Sequence, residues 1–138
     1  MRHRKDHKKL GRPTDQRMAM LKSIVSSVLW YGAIETTEAR AKAAKPLVDE
    51  MVTLARAGDM ESRRRAARFL TTGGGGARTG RKYQPPAGRA LVKRLFQEIG
   101  PAYKERPGGY TRVIRRGLRR GDAADMARLE LIDFPAGG

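Results

Sequence analysis

The chain has 138 residues, 39% of them apolar, and a formal charge of +16 from 30 Lys and Arg against 14 Asp and Glu. That length suits one ordinary domain with a modest core, and the lack of cysteine excludes a disulfide framework and a thiolate metal site. A fold carrying this excess works against its own repulsion and needs a polyanionic partner; nucleic acid fits better than a membrane surface, because phosphate contacts release counterions.

Residues 1–13 carry Arg2, Arg4, Lys5, Lys8, Lys9 and Arg12 against the single acid Asp6, with Leu10 the only aliphatic residue after Met1. Nothing there builds a core, so the segment reads as a basic arm that orders along a phosphate backbone. His3 and His7 stand four apart, a spacing that could put two imidazoles on one helical face for zinc. The chain has no other histidine and no cysteine to complete a tetrahedral site, and the neighbouring cations disfavour a metal. Phosphate or base contact is the expected role of both.

Pro13 and Thr14 offer a helix start, and Met18, Leu21, Val25, Val28 and Leu29 recur every three or four residues up to Gly32. A helix is expected from about Asp15 to Tyr31, with Arg17 in its first turn among the RNA-facing residues. The apolar run Ile24 to Trp30 is no signal peptide, since charged and polar residues continue to Ser23, and it is too short and interrupted to span a bilayer. Ala33-Ile34-Glu35-Thr36 is extended in character and predicts a short strand.

Thr37 is a good N-cap for the next helix, with Glu38 favourable at the positive end of its dipole. Ala41, Ala44, Leu47, Val48, Met51, Val52 and Ala55 give that helix an apolar stripe, and Gly58 ends it. Pro46 lies inside the pattern and should kink the helix or split it in two. Asp59 then caps a basic helix, Met60 to Leu70. Its Arg63, Arg64, Arg65 and Arg68 cover most of the circumference, a crowding of like charge that favours contact with an anion.

Between Thr71 and Ala87 the composition shifts to Gly73-Gly74-Gly75-Gly76, then Arg78, Arg81, Lys82 and Tyr83, then Pro85-Pro86. This reads as a flexible basic loop inserted in one domain spanning 14–134, because neither side alone has the apolar residues for a full core. Gly75 to Arg81 approaches the phosphate-binding loop pattern, but Arg81 and Lys82 stand where Lys and Ser or Thr are needed, and no hydrophobic strand precedes it. After Gly88, Leu91, Val92, Leu95, Phe96 and Ile99 line one face of a compact helix that Gly100-Pro101 should stop.

Pro107-Gly108-Gly109 is turn punctuation, and the β-branched and aromatic residues after it favour a strand. Arg112, Arg115, Arg116 and Arg119 fall within eight residues with no acidic residue among them; with Tyr110, Thr111 and Arg120 they are expected to face RNA. Arginine suits that role because its planar fork grips phosphate with two parallel hydrogen bonds and stacks on bases. Tyr83, Tyr103 and Tyr110 could stack as well, although Tyr110 reads equally as a half-buried hairpin aromatic. In the last strand Ala127, Leu129 and Leu131 alternate with Arg128, Glu130 and Ile132, so one face is mostly apolar. Arg120-Gly121-Asp122 spells an adhesion tripeptide by coincidence, with Gly121 serving the turn. Residues 135–138 are a short tail.

The order helix, strand, three helices, strand, strand predicts an α+β fold of two layers, with helices covering a small three-stranded sheet. Carboxylates such as Asp49, Glu50, Asp122 and Asp125 are scattered, and both histidines lie in the arm, so no nucleophile and base have a scaffold. No enzyme activity and no cofactor are expected. The charge alone would also allow a nucleoid or regulatory DNA-binding module.

Met1-Arg2-His3-Arg4-Lys5, Thr36-Thr37 with Ala41-Lys42, Ser62-Arg63-Arg64, Lys93-Arg94-Leu95-Phe96, Gly108-Gly109-Tyr110-Thr111-Arg112, and Arg120-Gly121-Asp122 before Leu129-Glu130-Leu131 occur in an order and spacing that resembles bacterial ribosomal protein L-seventeen over nearly the whole chain. The resemblance implies the same two-layer fold, assembly into the large ribosomal subunit, contact with 23S rRNA near the outer opening of the peptide tunnel, neighbours resembling L-thirty-two and L-twenty-two, and no catalysis. The 71–87 segment looks like an insertion relative to that family and suggests an extra rRNA contact. Pro46 interrupts a usually unbroken helix, and Asp6-His7-Lys8-Lys9 replaces a more Gly- and Arg-rich arm. The start at Met1-Arg2-His3 leads us to expect a bacterial cytoplasm, or an organellar ribosome after processing.

Overall fold

A computed structural model describes residues 3, 7–71 and 88–134, the side chain of Thr71 excepted. Helix α1 (Thr14–Tyr31) begins directly after Pro13, whose carbonyl accepts the Arg17 amide at 2.8 Å. It ends at Gly32, where a φ of 83° turns the chain out of the helix and the Gly32 amide still reaches the Val28 carbonyl. Strand β1 (Ala33–Thr37) runs straight into α2 (Glu38–Ala57). Thr37 occupies the N-cap position with extended backbone, but its hydroxyl makes no capping hydrogen bond; the expected capping bond is absent.

Pro46 does not split α2, which is one helix from Glu38 to Ala57. The reason is position: Pro46 and Lys42 lie on the exposed side, where water can satisfy the Lys42 carbonyl that loses its donor. Asp59 precedes α3 (Met60–Thr71), and its carboxylate accepts from the Ser62 hydroxyl and amide, which lowers its pKa despite some desolvation. That is the geometry of an N-cap.

The fourth helix departs from expectation at its end. It starts as α4 (Gly88–Arg94), widens into a π turn at Leu95–Ile99, and closes with a last turn, Gly100–Ala102. Leu91, Leu95 and Ile99 repeat every four residues, more than the 3.6 of an α-helix, and the wider turn keeps Leu95 and Ile99 on the buried face. The π turn hands the Gly100 amide to the Leu95 carbonyl, so helical backbone continues through Gly100-Pro101 instead of stopping there. Gly100 is needed for packing: a Cβ on it would meet the Ala55 carbonyl oxygen at 2.7 Å and its carbon at 3.0 Å.

Strands β2 (Thr111–Leu118) and β3 (Asp125–Leu131) complete an antiparallel sheet of order β1-β3-β2. Ala33 pairs with Glu130, Thr111 with Leu131, and a bulge between Arg115 and Gly117 shifts the register at the far end. The helices lie on one face of this sheet, where Ala127, Leu129 and Leu131 join Val25, Leu29, Val48, Val52, Leu91, Leu95 and Ile99 in one buried cluster. This is the predicted α+β arrangement of helices over a small three-stranded sheet. Among the described residues no helix is long and apolar enough to cross a membrane.

Candidate nucleic-acid interface

The hairpin arginines do not stand free. Arg112 and Arg128 both hold the Glu130 carboxylate on the sheet face away from the helices, Arg128 at 2.7 Å. Arg115 reaches Glu38 at 3.3 Å and Arg116 reaches Glu35 at 3.2 Å. Arg119 grips Asp122 with two hydrogen bonds, Nε to Oδ1 at 3.0 Å and Nη2 to Oδ2 at 2.5 Å. The row that has no acidic residue among its own members is therefore partnered in the fold. Its acids come from β1, the start of α2, β3 and the hairpin turn, which folding brings to the strand.

The carboxylates respond accordingly. Burial raises the Glu130 pKa, but hydrogen bonds from Arg112 and Arg128 outweigh it and the net shift is downward. The Arg119 guanidinium draws the exposed Asp122 down to about 2. For Glu38 the hydrogen bond from Lys42 leads, partly opposed by desolvation and helped by Arg115, and the result is also a lowered pKa. In the turn that Asp122 organises, Gly121 adopts a φ of 104°, and the Ala124 amide donates to the Asp122 carboxylate.

Tyr110 and Thr111 are buried, not on a binding surface. The Tyr110 ring is 2% exposed, lies edge-on to Tyr103 with centroids 5.4 Å apart, and accepts a hydrogen bond from Arg56 Nη1 at 2.9 Å. Thr111 donates its hydroxyl to Asp49 Oδ1 at 2.8 Å, and Lys45 pairs with the other Asp49 oxygen at 3.1 Å. Tyr103 donates to the Ile132 carbonyl at 2.6 Å, and burial pushes its phenol up to about 12. A base cannot stack on either ring. Arg94 is likewise internal in its work, donating to the Leu29 carbonyl and lying over the Trp30 ring at 5.2 Å.

The remaining cations gather elsewhere. His7, Lys8 and Arg17 border a cleft of about 400 Å³ between the arm and the first two helices, with Met18, Leu21 and Leu47 among its apolar walls. Lys9 and Arg12 continue the arm, both exposed; His3 is exposed too. On α3 the four arginines divide by face. Arg65 pairs with Glu50 at 3.8 Å, and with Arg68 it borders the α1–α2 side. Arg63 and Arg64 turn to the opposite side, where they meet Arg89 and Lys93 of α4 across a groove of about 600 Å³. Arg63 is steadied over the Phe96 ring at 5.7 Å. Arg120 is exposed in the hairpin turn with no ion pair among the described residues.

Sequence reasoning passes over Arg89 and Lys93, because helical residues flanked by apolar neighbours read as the polar side of a core helix. Their signal is positional: the packing of α4 against α3 puts both on the face opposite Arg63 and Arg64. Arg2, Arg4, Lys5, Arg78, Arg81, Lys82 and Tyr83, the 72–87 part of the glycine-rich insertion with its near phosphate-loop pattern, and the 135–138 tail lie outside the described residues. Among the described residues no three His, Cys, Asp or Glu groups cluster as a metal site would require.

Residues 20–132 match the family model described as ribosomal protein L17. The chain is similar to the large ribosomal subunit protein bL17 of Clostridium botulinum strain Loch Maree, 47% identical over 126 residues that cover 91% of this chain and 97% of that one. It is 43% identical to the protein of the same name from Gemmatimonas aurantiaca, over 96% of this chain and 98% of that one. The Clostridium tetani protein is 48% identical over 91% and 97%.

Proposed function

The chain belongs to the ribosomal protein L17 family, a structural and non-enzymatic part of the large ribosomal subunit, and on that footing we propose that it binds 23S rRNA and braces the subunit near the peptide exit tunnel. Its partners there are rRNA and neighbouring ribosomal proteins, with L-thirty-two and L-twenty-two as the expected neighbours, in a bacterial cytoplasm.

One observation carries the RNA reading. Among the described residues, cations that form no ion pair collect along the arm and first helix, at Lys8, Lys9, Arg12 and Arg17, and in the α3–α4 groove. Paired arginines have already spent much of their charge on the protein itself, so unpaired ones offer the stronger phosphate contacts. The hairpin therefore holds the sheet together first, with Arg120 as its open cation, and the arm and groove supply affinity.

If about six phosphates are neutralised, binding of the whole protein to deproteinised 23S rRNA weakens with a logarithmic salt slope of roughly −4 to −5. The tagged protein co-sediments with large subunits, and DNase treatment leaves that unchanged. A flat salt response, or a DNase-sensitive peak, overturns the proposal in favour of another partner.

A further inference from the structure

The α3–α4 groove is built differently from a plain basic patch. Four cations border it, Arg63 and Arg64 on one wall and Arg89 and Lys93 on the other, with no carboxylate in the lining. Met60, Ala67 and Val92 give the groove its apolar lining, and Gln97 borders it as well. Met60 is 64% exposed, so its thioether side chain is open to contact from outside the protein. The groove is open to solvent along its length and has a volume of about 600 Å³.

We infer that this groove seats one unstacked nucleotide of the rRNA, its phosphates held by Arg64, Arg89 and Lys93 and its base lying on the Met60 and Val92 side chains. The inference rests on the rRNA-binding reading above and adds what kind of RNA the site takes. A duplex backbone needs only the cations and gains nothing from apolar side chains set between them. A splayed base uses both, cations for its phosphate and apolar side chains for its face, and such bases are what proteins read in RNA loops and bulges. Arg63 is held over Phe96 at 5.7 Å, so its planar guanidinium is oriented before binding and can flank the base. Gln97 carries both a donor and an acceptor for a base edge. An acidic protein segment would satisfy the cations but leave the apolar lining and the amide unused.

The test uses the whole protein and deproteinised 23S rRNA. Arg64, Lys93 and Met60 are all exposed, so the variants should keep native helicity by circular dichroism. The double variant Arg64→Gln/Lys93→Gln is expected to make the salt slope shallower by about 2. Met60→Ser is expected to weaken binding roughly 3- to 10-fold with the slope unchanged, because a base contact is lost and no phosphate contact. Probing of 2′-hydroxyl reactivity should show an unpaired nucleotide protected by the wild type and exposed again by the double variant. Wild-type binding with a slope and footprint that the variants leave intact overturns the groove inference while the rRNA reading stands. Protection confined to duplex nucleotides also overturns it. Failure of the wild type itself to bind rRNA overturns the broader reading, and the groove inference with it.

Discussion

Tyr110 lies under the hairpin with its hydroxyl taking the Arg56 guanidinium at 2.9 Å, while Arg56 Nη2 donates to the Lys104 carbonyl at 3.2 Å. The Arg56 Nε is buried with no hydrogen-bond partner among the described residues, so the charge of this side chain depends on the two bonds it does make and on the Tyr110 ring face 5.9 Å away. Removing the hydroxyl takes from Arg56 Nη1 its partner in this part-buried contact, beside the unmet Nε. Tyr110→Phe should therefore cost about 1–2 kcal/mol in urea unfolding and leave rRNA affinity within error of wild type. Lost affinity at unchanged stability would put the ring back at the interface. The aromatic residue beside an arginine is visible in the sequence, but its direction is not. Strand alternation fixes which residues share a face and leaves open which face the helices cover until the sheet is assembled. The same limit applies to Arg112, Arg115 and Arg116, whose acids Glu130, Glu38 and Glu35 are distant in the chain and meet them only through the β1-β3-β2 order.

The elements themselves are more legible than their ends. Apolar residues at helical spacing predict α1 and α2 within a residue or two of Thr14–Tyr31 and Glu38–Ala57, since burial of one stripe dominates over propensity. The alternating Ala127, Leu129 and Leu131 mark β3, and all three are buried. Gly100-Pro101 misleads because local breaker rules know nothing of Ala55, whose backbone passes so close that only glycine fits. This contact explains both the helical glycine and the close approach of the fourth helix to α2. Gly100→Ala would ordinarily favour a helix by reducing unfolded-state freedom. Here its Cβ would fall 2.7 Å from a backbone oxygen, and backbone cannot rotate away as a side chain can. The substitution should destabilise the protein by about 1–3 kcal/mol in denaturant melts, and a stabilised variant would mean that the two helices separate at little cost.

At the scale of the whole molecule, salt acts on two opposed electrostatic effects. The excess of 16 positive charges repels itself over distances that salt screens within about 10 Å at 0.1 M. Against it stand exposed ion pairs such as Arg116 with Glu35, both about half exposed, and Arg106 with Asp133, and pairs of this kind contribute about 0–1 kcal/mol each. Screening weakens both, but it weakens the long-range repulsion of unpaired cations in the arm and groove first, because contact pairs sit well inside the screening length. Raising potassium chloride from about 50 to 500 mM should thus increase the melting temperature of the free protein by a few degrees, while the same change releases it from rRNA. The two responses together identify the charge excess as a cost that the free fold bears and that bound phosphate removes. A melting temperature that falls with salt would instead mean that attraction within the ion pairs of the sheet outweighs the repulsion, and the hairpin arginines would then matter more to the fold than the unpaired cations matter against it.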